Sequence, residues 1–350
     1  MPINQTLALP REFIKNNGKC PGYLLPVSKW TWGGEYELCL DTCSSNPDVA
    51  NTTIGEYHGT PRYTTWLPRY VPHYGATVGA GMTKCEQDNS VHANSPGFRG
   101  VEFVTPTLQG ESGIKYLCDV AAKLKAEGCT VNQSCGFHIH VGLRGIVGNA
   151  RVDCVVAFLA QLNKLVLNFQ DGLYAQTGTR RDRNSYCRRH VGNESLMDVA
   201  KIIGDKPKGT KTVSDFHQIA DYAERYRCVN LRRLQSGMND GAATLEFRFP
   251  AGTLNKDKIL MHLASIIFLC RLAWKTRHTK ADAVTWNLNK GYQRVAGKAG
   301  VRTLKKLLEK LNDAKQGKYL IHESPTFAAH WDSMQEVALR MARKYDNRAL

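Results

Sequence analysis

The chain has 350 residues, and its 42% hydrophobic content excludes a wholly disordered protein. With 47 Lys and Arg residues against 31 Asp and Glu residues, the formal net charge of +16 favours anionic partners such as nucleic acid, acidic surfaces or phosphorylated small molecules. Charge alone does not identify the partner, so nucleic acid stays open as a partner but is not favoured.

The cysteines and the apolar segments bear on the cellular compartment. Eleven cysteines are an odd number and cannot all pair within the chain. Residues 1–17 lack the apolar core of a signal peptide, and no apolar run of 18 residues occurs, so we expect no membrane span. We therefore expect a cytoplasmic protein with free thiols, mostly buried as small apolar side chains. Cys39-x3-Cys43 is not a strong zinc pattern.

The first half of the chain is predicted to contain mainly strands. Residues 1–22 are a polar lead-in, and residues 23–40 have room for two strands. Residues 44–81 are rich in Gly, Pro, Tyr, Thr and Asn without a clear period, which indicates an irregular insertion or a lid. Three further elements follow: a strand and turn at Lys84–Val91, a strand at Gly100–Pro106 stopped by proline, and a helix at Gly113–Glu127.

The second half is predicted to be mainly helical. Strands at 228–231 and 243–250, joined by a turn at 236–241, pair in antiparallel fashion. Helices are predicted at 151–171, 194–203, 214–226, 257–275, 281–287, 300–314 and 327–344. We expect a catalytic domain over 23–255 and a helical C-terminal region over 256–350 packed on it.

Three predicted strands alternate apolar side chains with side chains that bind metals or anions. They are Trp32–Leu38, Cys135–Val141 and Thr244–Pro250. Because successive side chains of a strand point to opposite faces, each strand gathers its polar residues on one face. The polar residues are Glu35 and Glu37, His138 and His140, and Glu246 and Arg248. Strands of this kind are able to line one pocket.

These residue types, together with Glu102 of the 100–106 strand, favour a hard divalent cation. Oxygen ligands dominate the set, and crowded carboxylates without a cation would raise one another's pKa. A bound Mg²⁺ or Mn²⁺ in turn favours a phosphate ligand, which the arginines of the loop 179–189 are suited to bind. A His-x-His pair, a Glu-x-Glu pair or a basic loop alone is more often an ordinary surface or strand feature. The prediction therefore depends on their joint occurrence.

The same residues resemble the putative amidoligase family, which is related to glutamine synthetase and glutamate–cysteine ligase. Trp32–Glu37 resembles the family's Phe-Gly-Val-Glu-Ile-Glu opening, and five more motifs follow in the family's order. They are Cys85–Val91 through Asp88 and Ser90, Gly100–Pro106 through Glu102, Asn132–Val141, Arg180–Cys187 and Val229–Thr253. The resemblance covers about residues 30–270. The sequence departs from the family's motifs at two positions. Gly34 stands where the family usually has a bulky apolar residue, and Thr105 stands where it has a serine.

The resemblance implies an α+β fold of the glutamine synthetase type. Its parts are a curved antiparallel β-sheet funnel, helices packed outside and, here, a helical C-terminal extension. It implies an ATP- and Mg²⁺-dependent carboxylate–amine ligase that forms an amide or isopeptide bond through an acyl phosphate. The expected substrates are a small-molecule or peptide carboxylate and an amine, and an oligomer is compatible with it.

The resemblance also implies roles for particular residues. The metal ligands would be Glu35, Glu37, Glu102, Glu246 and one histidine, His138 rather than His140. His140 would orient a phosphate or support the metal ligands. Arg248 would bind the acceptor carboxylate or the γ-phosphate, and Asp88 would position or deprotonate the amine. The remaining phosphate-binding residues would be Arg180, Arg181 and Arg183.

Two other functions remain open from the sequence. The same carboxylates could serve a metal-dependent phosphoesterase or nuclease whose basic surface binds nucleic acid. Alternatively, the chain could be a non-catalytic basic binding protein on an enzyme scaffold, although such a protein would be expected to have lost its metal ligands.

Overall fold

The computed structural model describes residues 21–57, 59–70, 81–93, 95–148, 150–190, 194–222, 224–236, 243–278, 299–312 and 324–347. Within them, seven strands form one open antiparallel sheet, which together with the helices makes an α+β protein. The strands are β1 (Thr31–Asp41), β2 (Lys84–Gln87), β3 (Phe98–Val104), β4 (Leu108–Gln109), β5 (Phe137–Gly142), β6 (Val229–Asn230) and β7 (Thr244–Phe247). Their order is β2-β3-β1-β5-β7-β6, and β4 pairs with the start of β1.

Among the described helices, some pack on the sheet and others pack mainly on one another. They are α1 (Pro47–Ala50), α2 (Gly110–Ala126), α3 (Leu143–Val147), α4 (Val152–Ala175), α5 (Glu194–Asp205), α6 (Val213–Tyr222), α7 (Arg233–Ser236), α8 (Lys256–Thr276), α9 (Ala299–Asn312) and α10 (Pro325–Asn347). Helix α4 packs against α5, α8, α9 and α10. The main hydrophobic core is continuous from the strands to α10, and the predicted domain boundary at residue 255 remains a prediction.

Strand β1 lies near the middle of the sheet. Its apolar side chains are on one face, and Glu35 and Glu37 are on the other. Tyr36 and Leu38 are buried on the apolar face, where helix α2 packs, and the Tyr36 hydroxyl donates to the carbonyl of Leu117 at 2.6 Å. A Cβ atom on Gly34 would lie 2.6 Å from a terminal methyl of Leu117, so a larger residue there would force the Leu117 side chain to move. The amide of Gly34 donates to the Thr105 hydroxyl at 2.9 Å, an interaction that a serine would also provide.

Two long helices are apolar enough to be compared with membrane spans. Helices α4 and α8 pass that test by length and composition. Most of each apolar window, 83% and 78% respectively, is nevertheless buried inside the protein. Burial of this extent is typical of helices in a protein core.

The structure corrects several expectations about local elements. The first of the two strands predicted in residues 23–40 is wrong: Val27–Lys29 forms a 3₁₀ turn closed by the Trp30 amide on the Val27 carbonyl. Pro26 has no amide hydrogen to donate to a neighbouring strand, which disfavours strand pairing at this point. The helix predicted to reach residue 226 ends at Tyr222. The helix predicted at 281–287 lies outside the described residues, as does nearly all of the turn at 236–241.

The cysteines agree with the expectation of free thiols, with an exception. Nine cysteines of the described chain carry free thiols, and eight of these are buried; the exposed one is Cys43. Cys154 is disulfide-bonded, so the expectation is wrong at this position.

In the irregular segment 44–81, α1 is a short helix, and Trp66 packs edge-on against Phe103 in the core.

Candidate metal and anion site

The strand register places the predicted polar residues side by side. Glu37 is paired with Glu102 across β1 and β3, and Glu35 with His138 across β1 and β5. One strand further, His140 is paired with Glu246. Directly paired residues of antiparallel strands project to the same face, so one face of the sheet carries all of these groups.

The side chains converge on His138, which is 2% exposed. Its Nδ1 lies 3.1 Å from Oε2 of Glu35, and its Nε2 lies 3.2 Å from Oε1 of Glu37. Oε1 of Glu246 lies 3.8 Å from Nδ1. On the next polar position of β5, Nε2 of His140 lies 2.9 Å from Oε1 of Glu35. Carboxylates from two strands therefore surround one imidazole.

Three overlapping groups in this cluster have ligand atoms within 4.8 Å of one another. Each is a set of three side chains that could hold a metal ion: Glu35, Glu102 and His138; Glu35, His140 and Glu246; and Glu37, Asp88 and Glu102. All five predicted metal ligands belong to at least one of these groups. Oxygen donors with one imidazole are suited to Mg²⁺ or Mn²⁺.

The carboxylates of the cluster differ in their electrostatic environment. Burial raises the pKa of Glu102 well above its ordinary value, and the charges of Glu35, Glu37 and Asp88 raise it further. Burial also acts to raise the pKa of Glu35, but His140 and His138 outweigh it, so that pKa lies well below the ordinary value. Glu102 is thus the carboxyl in greatest need of positive charge, which a divalent cation would provide.

The cluster forms one side of a cleft of about 630 Å³. The lining of the cleft also includes arginines and tyrosines, and we call Tyr57, Tyr186, Arg225, Tyr226 and Arg232 the arginine–tyrosine wall. Arg225 donates to the Tyr57 hydroxyl at 2.7 Å and lies over the ring of Tyr226 at 5.6 Å. The rings of Tyr186 and Tyr226 meet edge to face at 5.4 Å. The cleft is therefore lined by acidic groups together with basic and aromatic ones.

Arg248 and Asp88 also line this cleft, as the sequence predicts. The Arg248 guanidinium donates to Oε1 of Glu246 and, through Nε, to the Tyr186 carbonyl at 3.1 Å. Glu246 compensates for burial, and the pKa of Arg248 is raised, so this guanidinium remains charged. Asp88 accepts the amide of Ser90 at 2.7 Å in a tight turn after β2.

The three arginines of the predicted phosphate-binding loop have different positions. Arg181 is buried in the site: it donates to Nε2 of His138 and to the carbonyl of Cys135, both at 3.2 Å. Arg180 instead makes two bonds to Asp182, at 3.1 and 2.9 Å, and does not line the cleft. Arg183 is exposed and does not line the cleft either. Of the three, Arg181 alone contacts the cluster, through His138, and it too does not line the cleft.

Several residues of the site were not predicted. Glu86 is paired with Glu102 across β2 and β3, is 3% exposed and forms an ion pair with Lys84. Glu86 is two residues before Asp88, so the period of a strand places both side chains on one face, and the sequence alone was sufficient to predict this. Asn230 donates through Nδ2 to Oε2 of Glu246, and Arg233 lies 3.5 Å from Glu35. Neither of these follows from periodicity, because β6 and α7 are short.

Comparison with known protein families identifies one that covers most of the chain. A family model described as putative amidoligase enzyme matches residues 34–266, about two thirds of the chain. The chain belongs to the amidoligase family. No curated protein matches it.

The amidoligase match begins at Gly34, in β1, and includes every residue of the metal cluster. It ends within α8, so α9 and α10 lie beyond it. The two departures from the amidoligase pattern have structural explanations, since Gly34 accommodates Leu117 and Thr105 retains a hydroxyl for the Gly34 amide. Neither departure removes a side chain from the cluster.

Proposed function

We propose that this amidoligase is an ATP- and Mg²⁺-dependent carboxylate–amine ligase that forms an amide or isopeptide bond through an acyl phosphate. The observation that carries the proposal is the convergence of Glu35, Glu102 and His138 from three neighbouring strands within 4.8 Å. A carboxylate does not condense with an amine at neutral pH, because its leaving group is oxide. Transfer of a phosphoryl group to the carboxylate replaces oxide with phosphate, a far better leaving group.

The donor set fits a divalent cation. The carboxylates of Glu35, Glu37, Glu102 and Glu246, with His138, would hold it, and Mn²⁺ would suit the same ligands. The raised pKa of Glu102 supports this assignment, since several buried carboxylates face one another with too little positive charge. When bound, the cation would neutralise phosphate oxygens and so reduce their repulsion of the substrate carboxylate.

The arginines in and beside the cleft are suited to the anionic groups of the reactants. Arg248 is held rigidly between Glu246 and the Tyr186 carbonyl, which supports a role in orienting a carboxylate or phosphate. Arg181, beside His138, would stabilise charge on the phosphoryl group in transfer. Asp88, which also lines the cleft, would position the amine or accept its proton.

The proposal extends to the form of the sheet. An open antiparallel sheet with its polar face gathered around a cleft is compatible with a glutamine synthetase-like funnel, in which reactants would approach from opposite ends. The carboxylates and the arginines that line the cleft support places for a cation-bound phosphate and for a carboxylate. This arrangement would bring the two anions together while keeping each paired with positive charge.

The test uses hydroxylamine in place of the unknown amine. The full chain is incubated with ATP, Mg²⁺, hydroxylamine and a panel of carboxylates that includes glutamate and peptides. An acyl phosphate would react with hydroxylamine to give a hydroxamate, and ADP would appear in equal amount. Glu246→Gln should abolish both products without unfolding the protein, whereas Glu309→Gln, on the exposed face of α9, should retain them.

The remaining outcomes separate the other functions. Cleavage of nucleic acid or phosphoesters without ADP release would replace the ligase with a metal-dependent phosphoesterase. Absence of any metal-dependent rise in melting temperature, with or without ATP, would indicate a binding protein without a metal site. Hydroxamate formed at an equal rate by Glu246→Gln would remove Glu246 from the reaction.

A further inference from the structure

The 3₁₀ turn Arg181–Arg183 contacts the metal cluster on one side and helices on the other. Arg181 enters the metal cluster, where it contacts His138, and its side chain is 4% exposed. Arg180 and Asp182, on either side of it in sequence, point away and bind each other through two hydrogen bonds. The Arg181 side chain is held directly by the Cys135 carbonyl and His138, and its backbone is held through its two neighbours.

Helix α10 holds the outer side of this turn. The guanidinium of Arg180 lies 4.7 Å above the ring centre of Tyr345, which is 4% exposed. The chain just before the turn also rests on α10: Gly178, at φ 70°, is so close that a Cβ atom there would lie 2.7 Å from Sδ of Met341. Glycine is favoured here by both the backbone conformation and the contact.

A second anchor fixes the turn to α4. Asp182 accepts a bond from Arg189 at 3.4 Å, and Arg189 forms an ion pair with Asp171 of α4. Asp182 is thus shared by two guanidinium groups, Arg180 from one side and Arg189 from the other. The turn is attached at both ends to helices that pack against each other.

We propose that helix α10, through Tyr345 and Arg180, positions Arg181 in the metal cluster. Tyr345 and Arg180 are positioning residues, since their contacts are with each other and with Asp182 and not with the metal cluster. This assigns a role to a helix that lies beyond the amidoligase match. This inference depends on one part of the proposed function, namely that the cluster binds a divalent cation.

The test is a thermodynamic cycle measured by Mn²⁺ titration of the full-length protein, with electron paramagnetic resonance reporting free Mn²⁺. Arg181→Ala removes a cation beside the carboxylates and should tighten Mn²⁺ binding about fivefold. Tyr345→Ala should tighten it about threefold, because Arg181 is no longer held in place, and should add nothing in the Arg181→Ala background. Tyr345→Phe keeps the ring over Arg180 but removes the hydroxyl that bonds Asp182, so its effect on Mn²⁺ affinity should be smaller than that of Tyr345→Ala.

A matched control separates positioning from general destabilisation. Phe327→Ala also removes a buried ring from α10, at a residue with 0% exposure that is far along the helix from the turn. It should lower the melting temperature as much as Tyr345→Ala does while leaving Mn²⁺ affinity unchanged. If Tyr345→Ala does not fold, Arg180→Met is used in its place in the cycle, because it removes the guanidinium that lies over the Tyr345 ring.

Three results would overturn the proposal. The first is an Mn²⁺ affinity that Arg181→Ala leaves unchanged, and the second is a Tyr345→Ala effect that persists in full without Arg181. The third is an equal shift in Phe327→Ala. Because Mn²⁺ binding needs no nucleotide, the cycle remains decisive if hydroxamate formation fails, and the two proposals can therefore fail separately.

Discussion

Nδ1 of His138 lies 3.1 Å from Oε2 of Glu35, and the two residues are also direct partners in the pairing of β1 with β5. The contact is therefore fixed by backbone hydrogen bonds as well as by the side chains. A ligand pair held in this way is preorganised, because neither strand has to move for both groups to face one cation.

Glu102→Gln should have opposite effects on stability and metal affinity. Glu102 is buried near Glu35, Glu37 and Asp88, and the raised pKa of its carboxyl reflects both burial and that repulsion. The neutral amide relieves the repulsion, so the metal-free protein should melt about 2 °C higher. It also removes a ligand, so Mn²⁺ affinity should fall about tenfold or more. Differential scanning calorimetry and Mn²⁺ titration measure the two effects, and Glu309→Gln should change neither.

Asn230→Asp tests the support of Glu246. The Asn230 amide donates to Oε2 of Glu246, and a carboxylate in its place would add a like charge beside a buried carboxylate. The metal-free protein should therefore lose about 1–3 kcal/mol of unfolding free energy. Saturating Mn²⁺ should raise the melting temperature more in this variant than in the wild type. Asn230→Ser, which is neutral, controls for loss of the amide, and an equal metal-induced rise in both variants would contradict the prediction.

Gly34→Val tests the close approach of α2 to β1. The added Cβ would meet the Leu117 side chain at 2.6 Å and the Phe137 ring at 3.3 Å, so the substitution should cost about 1–3 kcal/mol. Leu117→Ala alone should also destabilise, by about 2–5 kcal/mol, because it opens a cavity. Urea unfolding of the double variant should show a smaller loss than the sum of the two. Strict additivity would mean that Leu117 is not the obstacle.

The stability of the protein should fall in mild acid. Burial lowers the pKa of His190 to about 4 and that of His262 to about 3, whereas an imidazole in the unfolded chain titrates near its ordinary 6.5. As the pH drops below about 6.5, the unfolded chain binds protons that the folded protein excludes. Each histidine should therefore remove on the order of 3 kcal/mol of unfolding free energy between pH 6.5 and pH 4.

His262→Leu provides the check on that pH dependence. Its melting temperature should decrease less between pH 7 and pH 4.5 than that of the wild type, because one buried titrating group is gone. His92→Gln, at an exposed position, should follow the wild-type curve. Parallel curves for all three proteins would mean that His262 does not contribute to the acid sensitivity.

The alternation of side chains made the polar face of the sheet predictable. Leu245, Phe247 and Phe249 are all in the core, and Glu246 and Arg248 face the cleft, as a period of two requires. The register was not predictable from that pattern. Periodicity does not specify that Glu35 is opposite His138 rather than His140, because a shift of two residues keeps every side chain on the same face.

The arginine loop shows a different limit. Arg180, Arg181 and Arg183 are equivalent in composition, and in a loop no period distinguishes them. Their separation depends on Asp182 and on Tyr345, which is more than 160 residues away in the chain. Contacts of that sequence distance follow from tertiary packing and not from local propensity.

Strand β1 is hydrogen-bonded to β3 on one edge and to β5 on the other, and α2 seals its apolar face. Its backbone therefore has little freedom to shift, and Glu35 and Glu37 can adjust to a ligand only by rotating their side chains. Crystals grown without ligand should consequently tolerate soaking with Mn²⁺ and nucleotide without cracking, and a difference map should show rotamer changes in an otherwise unaltered lattice.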